Sequence, residues 1–103
     1  MTETATAPVV VAVAGDLDYT TAPGLRLRLN ETIAEHPRAT VCVDMSAVTF
    51  MDSVGLGVLI FAYKRAVQAG ASLTVVNPSR RVAGVLDTTG MARILCPPAN
   101  PRG

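Results

Sequence analysis

The chain has 103 residues, half of them hydrophobic, 4% aromatic and none of them Trp. That fits one domain whose core is built from Val, Leu, Ile and Ala without staples. Nine basic residues oppose eight acidic ones for a net charge of +1, and the basic residues pair up only at Lys64-Arg65 and Arg80-Arg81, which gives no basic face for direct nucleic-acid binding.

The run Pro8 to Ala14 is too short to span a bilayer, and no Lys or Arg precedes it as in a signal peptide, so a cytoplasmic protein without membrane contact is expected. Residues 1–7 are small and polar and are expected to form an irregular tail. Val9 to Ala14 is continuously apolar, the pattern of a strand covered on both faces, and Gly15-Asp16 breaks it. Pro23 suits a first helical turn. After it, Leu25, Leu29 and Ile33 recur every four residues on one helical face, until His36-Pro37 ends the helix. Thr40 to Asp44 reads as a second buried strand, with Cys42 as a small core residue. Ser46 to Asp52 is expected to be a connecting loop holding Phe50.

From Val54 to Ala69, the residues Leu56, Leu59, Ile60, Tyr63 and Val67 share one face of an amphipathic helix, and Gly70 is placed to cap its C-terminus. Ser72 to Val76 is a third strand, closed by an Asn77-Pro78 turn. Ser79 can cap a short helix with Val82, Val85 and Leu86 inward, ended by Gly90. Arg93 to Cys96 reads as a last short strand, and Pro97, Pro98 and Pro101 make residues 97–103 an irregular tail. The alternation predicts a single α/β domain, its core about residues 9–96, with a mainly parallel sheet of four strands and about three helices. Functional loops of such sheets gather at the C-terminal ends of the strands. The stretch Met51-Asp52-Ser53-Val54-Gly55 lies at such an end.

That stretch lacks the first glycine of a nucleophile elbow, and the single histidine follows the first helix. Gly55 and Gly57 have no P-loop lysine behind them. Asp16 and Asp18 could be paired acid–base carboxylates, but they end the first strand, where turn and capping roles are commoner. Cys42, Cys96 and His36 provide too few ligands at metal spacing. No enzyme, cofactor or metal site is expected. Ser53 has two readings. It is a plain N-cap serine, which the residues alone favour, or a hydroxyl whose phosphate would meet the partial positive charge of a helix start. Two glycines in the first turn cost about 1 kcal/mol each relative to alanine; close approach of another backbone at a docking surface would account for them.

The stretch Phe50 to Leu59 resembles the signature of STAS-domain anti-sigma factor antagonists, the bacterial partner-switching proteins of sporulation and general-stress control. Gly15-Asp16-Leu17-Asp18, Thr21-Ala22-Pro23 and Leu25-Arg26 are similar to that family's first strand-to-helix junction. Tyr63-Lys64-Arg65 and Gly70 to Leu73 are similar to the end of its second helix and the next strand. Val82, Leu86, Asp87, Thr89 and Gly90 are similar to its third helix. The likeness covers about residues 9–95.

The resemblance implies a phosphoacceptor at Ser53, modified by an anti-sigma factor that is itself an ATP-dependent serine kinase and reset by a PP2C-type phosphatase. The unphosphorylated form would bind the anti-sigma factor and free a sigma factor. Asp18, Thr21, Asp52, Ser53, Val54, Gly55, Leu56 and Gly57 would form the partner surface. Three departures stand out: the family's N-terminal edge strand, a fifth in the sheet, is minimal or missing, its C-terminal helix has no counterpart in the final residues, and Val54 stands where many antagonists carry Ser or Thr. A constitutive STAS interaction module of a transporter or signalling complex is the alternative that the same resemblance allows.

Overall fold

The computed structural model describes residues 8–97. Irregular tails are expected at 1–7 and 97–103; apart from Pro97, which is in no regular element, they lie outside the described residues, and with them any N-terminal edge strand or C-terminal helix. The elements run β1 (Val9–Leu17), α1 (Ala22–Glu35), β2 (Thr40–Met51), α2 (Ser53–Gln68), β3 (Ser72–Val76), α3 (Arg80–Thr89) and α4 (Ala92–Leu95). The three strands form one sheet in the order β1-β2-β3, and both pairings are parallel. The α/β class and the parallel sheet are as expected.

The strand count differs, because Arg93 to Cys96 is not a strand. Ala92–Leu95 is a single helical turn in which Ile94 and Leu95 donate to the Met91 carbonyl. The Thr74 hydroxyl donates to the Leu95 carbonyl at 3.0 Å, and the Leu95 side chain is fully buried. The four residues Arg93 to Cys96 are too few to carry a period that separates strand from helix. The sheet among the described residues therefore has three strands.

Both long strands also outrun their expected ends. β1 passes through Gly15-Asp16, and β2 continues through the expected loop to Met51, with Ala14↔Ala47, Gly15↔Val48, Asp16↔Phe50 and Leu17↔Met51 in register. Two register shifts absorb the mismatch, between Ala12 and Ala14 and between Gly15 and Asp16. Val48 and Met51 are buried, and the Thr49 hydroxyl donates to the Asp16 carboxylate at 2.9 Å, so this half of the ladder has its own anchorage.

One sheet face is packed. Val11, Val41, Val43, Met45, Leu73 and Val75 are buried together with Leu25, Leu29 and Ile33 of α1, Leu56 and Leu59 of α2, and Val82 and Leu86 of α3. On the alternate positions Val10 and Ala12 are exposed and Cys42, Asp44, Thr74 and Val76 are half-buried. Among the described residues β1 thus lies at the edge of the sheet and is covered on one face, and Cys42 lies on the open face, outside the core.

The α1 face is as expected. In α2 the buried set is Gly55, Leu56, Leu59, Ala62 and Ala66, while Ile60 and Tyr63 pack at its rim and Val67 is 53% exposed. Small residues at Ala62 and Ala66 let this helix sit close to β3, so its inward stripe is rotated away from Val67. Gly70 and Gly90 follow α2 and α3 in the left-handed conformation, at φ 79° and 76°, as helix-ending glycines do. Ser79 caps α3 by accepting from the Val82 N–H at 3.3 Å.

Candidate functional site

The C-terminal ends of β1 and β2 lie side by side and lead into α1 and α2. The β1–α1 turn is organised by Asp18 and Thr21. One Asp18 carboxylate oxygen accepts from the Thr20 hydroxyl at 2.6 Å, the Thr20 N–H at 2.9 Å and the Thr21 N–H at 3.3 Å. The Thr21 hydroxyl accepts from the Asp18 N–H at 3.0 Å and donates to the Asp16 carbonyl at 2.8 Å. The bonds from Thr20 stabilise the charged carboxylate and hold Asp18 below its ordinary 3.8. Asp16 and Asp18 thus each have a structural partner, Asp16 at Thr49 and Asp18 within its turn, and they do not form an acid–base pair.

At the second junction the capping residue is Asp52, where the simplest reading of the sequence has Ser53. Asp52 is in an extended conformation (φ −107°, ψ −173°), and its carboxylate accepts from the N–H groups of Val54 at 2.9 Å and Gly55 at 3.1 Å. Ser53 is then the first residue of α2, exposed, with no hydrogen bond from its hydroxyl to any other described residue. Asp and Ser are comparable caps; the backbone conformation of Asp52 decides between them.

Gly55 shows why a glycine stands in this turn. A Cβ there would lie 2.7 Å from Leu17 Cγ and 2.8 Å from the Leu17 carbonyl oxygen. That same carbonyl accepts from the Asp52 N–H at 3.3 Å. The close backbone approach is therefore made by β1 of the same chain, and it ties the two junctions together. At Gly57 a Cβ would meet nothing within 4 Å.

The residues that the resemblance groups as a partner surface divide by exposure. Thr21, Ser53, Val54 and Gly57 are exposed and Asp18 and Asp52 are half-buried, whereas Gly55 and Leu56 are buried and shape the junction from beneath. Beside Ser53 runs a groove of about 340 Å³ between α1 and α2, lined by Tyr19, Arg26, Leu27, Asn30, Val54 and Val58 among others. Tyr19 is 73% exposed and Val54 47%. Arg26 lies over the Phe61 ring at 4.7 Å and Arg81 over the Phe50 ring at 6.0 Å. The groove went unseen in the sequence because its two walls are thirty residues apart along the chain; exposed Tyr19 and Val54 were its only separate signals. Among the described residues no cluster of His, Cys, Asp and Glu could hold a metal ion, and no helix is long and apolar enough to cross a membrane.

A parallel sheet packed on one face, with an exposed serine opening a capped helix at the C-terminal ends of its strands, defines a small α/β domain among the described residues. The chain belongs to the STAS domain family, whose model matches residues 1–101. It is 33% identical over 87 residues to the anti-sigma-B factor antagonist of Bacillus subtilis, spanning 84% of this chain and 78% of that protein. It is 30% identical over 87 residues to the anti-sigma F factor antagonist of Paenibacillus polymyxa, spanning 84% and 74%. The crystal structure of an anti-sigma factor antagonist from Mycobacterium paratuberculosis superposes with a TM-score of 0.77 at 29% identity, covering 91% of this chain and 79% of that one. The unphosphorylated form of the antagonist SpoIIAA shares the fold, with a TM-score of 0.73 at 24% identity and coverage of 89% and 81%.

Proposed function

We propose that the protein is an anti-sigma factor antagonist of the cytoplasm, switched at Ser53. The unphosphorylated form binds an anti-sigma factor and frees a sigma factor; phosphorylation by that anti-sigma factor, acting as an ATP-dependent serine kinase, turns binding off, and a PP2C-type phosphatase restores it. The chain is the substrate of this chemistry and performs none itself. The observation that carries the reading is an exposed, unbonded Ser53 hydroxyl on the first turn of α2, beside an Asp52 fixed by capping. The curated relatives, named as antagonists, support it. Asp18, Thr21, Val54 and Gly57 contribute the exposed surround, with Gly55 and Leu56 as its support.

The physical effect of the mark is large. A phosphoserine adds about −1.5 to −2 charges, which takes a chain of net charge +1 to about −1. An interface built on a neutral hydroxyl then receives a dianion next to Asp52. A loss of about 4 kcal/mol corresponds to roughly a thousandfold weaker binding.

Affinity capture with wild type, Ser53→Ala and Ser53→Asp side by side tests this. Wild type and Ser53→Ala should retain an anti-sigma factor, and Ser53→Asp should lose it. Incubation of wild type with that factor and ATP should add one phosphate at Ser53, read by mass spectrometry. An unmodified Ser53 sinks the switch. Equal capture of a transporter or signalling subunit by all three forms replaces it with a constitutive STAS interaction module.

A further inference from the structure

A helix start has four backbone N–H groups without partners in the helix, and these are what would receive a phosphate. In α2 three of the four are taken. The Asp52 N–H donates to the Leu17 carbonyl, and those of Val54 and Gly55 donate to the Asp52 carboxylate. Only the N–H of Ser53 itself has no partner among the described residues. A phosphate on Ser53 could gain the other donors only by expelling the Asp52 carboxylate, which would exchange one anion for another at the same donors.

We infer that Asp52 occupies the helix end and thereby keeps a phosphate on Ser53 exposed and apart from the helix donors. The inference rests on Ser53 being the modified residue. Asp52 is in this account a positioning residue: it reserves the helix end and adds like charge beside the mark. The other charged groups around the junction are already engaged. From β1 and its turn come Asp16, bonded to Thr49 of β2, and Asp18, bonded to Thr20 and Thr21. From α3 comes Arg81, over Phe50 at the end of β2, and from α1 comes Arg26, over Phe61 of α2. The basic residues of α2 itself, Lys64 and Arg65, lie in its C-terminal half.

The test is a phosphorus NMR titration of protein carrying phosphoserine at position 53, installed during translation so that no kinase is needed. The reference is a phosphopeptide of residues 51–57. The peptide's second ionisation falls near pH 6, and the folded protein's midpoint should lie at or above the peptide's. Asp52→Asn keeps a capping oxygen but removes the charge, and should lower the folded midpoint by about half a pH unit, the effect of one charge roughly 6 Å away in water. Arg81→Gln should leave it unchanged.

A folded midpoint below the peptide's overturns the inference, because the phosphate would then be held by helix donors. No change in Asp52→Asn overturns the role of Asp52, and a rise in Arg81→Gln means pairing with α3 and overturns it as well. A chain that no anti-sigma factor phosphorylates refutes the switch and leaves this titration intact. A captured phosphate refutes the inference and leaves the switch standing.

Discussion

Replacing Gly55 by alanine places a methyl carbon 2.7 Å from Leu17 Cγ and 2.8 Å from the Leu17 carbonyl oxygen. The side chain could turn aside only within a packed core, since Leu17 is 1% exposed. The oxygen belongs to β1 and has less freedom still. Relief therefore requires α2 to lift from the end of β1, which stretches the 3.3 Å bond from the Asp52 N–H to the same carbonyl. Overpacking of this kind costs about 1–3 kcal/mol, and alanine's helix propensity returns about 1 kcal/mol. The net expectation is a destabilisation of up to about 2 kcal/mol, or a fall in Tm of up to roughly 16 °C for a domain of this size. Gly57→Ala is the matched control, two residues along the same helix, with nothing within 4 Å of the added carbon. It should raise Tm by about 4–8 °C. Circular dichroism melts of the two variants against wild type give the answer. If Gly55→Ala melts at or above wild type, the contact with Leu17 does not constrain the junction and the account of Gly55 is wrong.

Asp52→Ala removes the carboxylate that caps α2 and should cost about 0.5–2 kcal/mol by urea unfolding, with Asp52→Asn closer to wild type. Leu59→Ala empties a fully buried site in the middle of α2 and should cost about 2–5 kcal/mol in the same assay. Asp18 is held below 3.8 in the folded state, so it contributes stability that is whole above that value and is lost as pH falls through the lower folded-state value. The urea midpoint of wild type should therefore fall more steeply on acidification below about pH 4 than that of Asp18→Asn; parallel curves would contradict the Thr20–Asp18 bonds.

Periodic and punctuated segments were readable from the sequence. Leu25, Leu29 and Ile33 share a face because four-residue spacing leaves no other helical arrangement, and Ser79 and Gly90 bound α3 because each has a distinct backbone preference. The errors lie where local chemistry is ambiguous and tertiary contact decides. Val9 to Val13 is apolar at every position, so nothing local says that Val10 faces outward. Ser46 to Met51 lacks clean alternation, matching the register shifts that interrupt its pairing with β1, and so Ser46 to Asp52 reads as a loop. Arg93 to Cys96 became a helical turn through Met91 and Thr74. The loop carrying Ser53 could be placed at the sheet's functional end from the order of elements alone. The contact between Gly55 and Leu17 could not, since it joins residues far apart in sequence.

The parallel order β1-β2-β3 has a consequence for how the chain reaches this state. Val9 pairs with Val41 and Val41 with Leu73, so each of these strand pairings closes a loop of more than thirty residues, and among the described residues no hairpin is available to start the sheet. Folding of such topologies is slow compared with helical bundles, because the entropy of closure must be met before the non-local contacts form. During synthesis β1 and α1 emerge before β2, the strand with which β1 pairs, and the packed side of β2 is not fully covered until α2 and α3 have been made. The apolar Val9–Val13 segment is then the part of the nascent chain most exposed to association with its neighbours. A slow translation interval would be tolerated best after Val76, when all three strands can pair, and worst between Leu17 and Thr40.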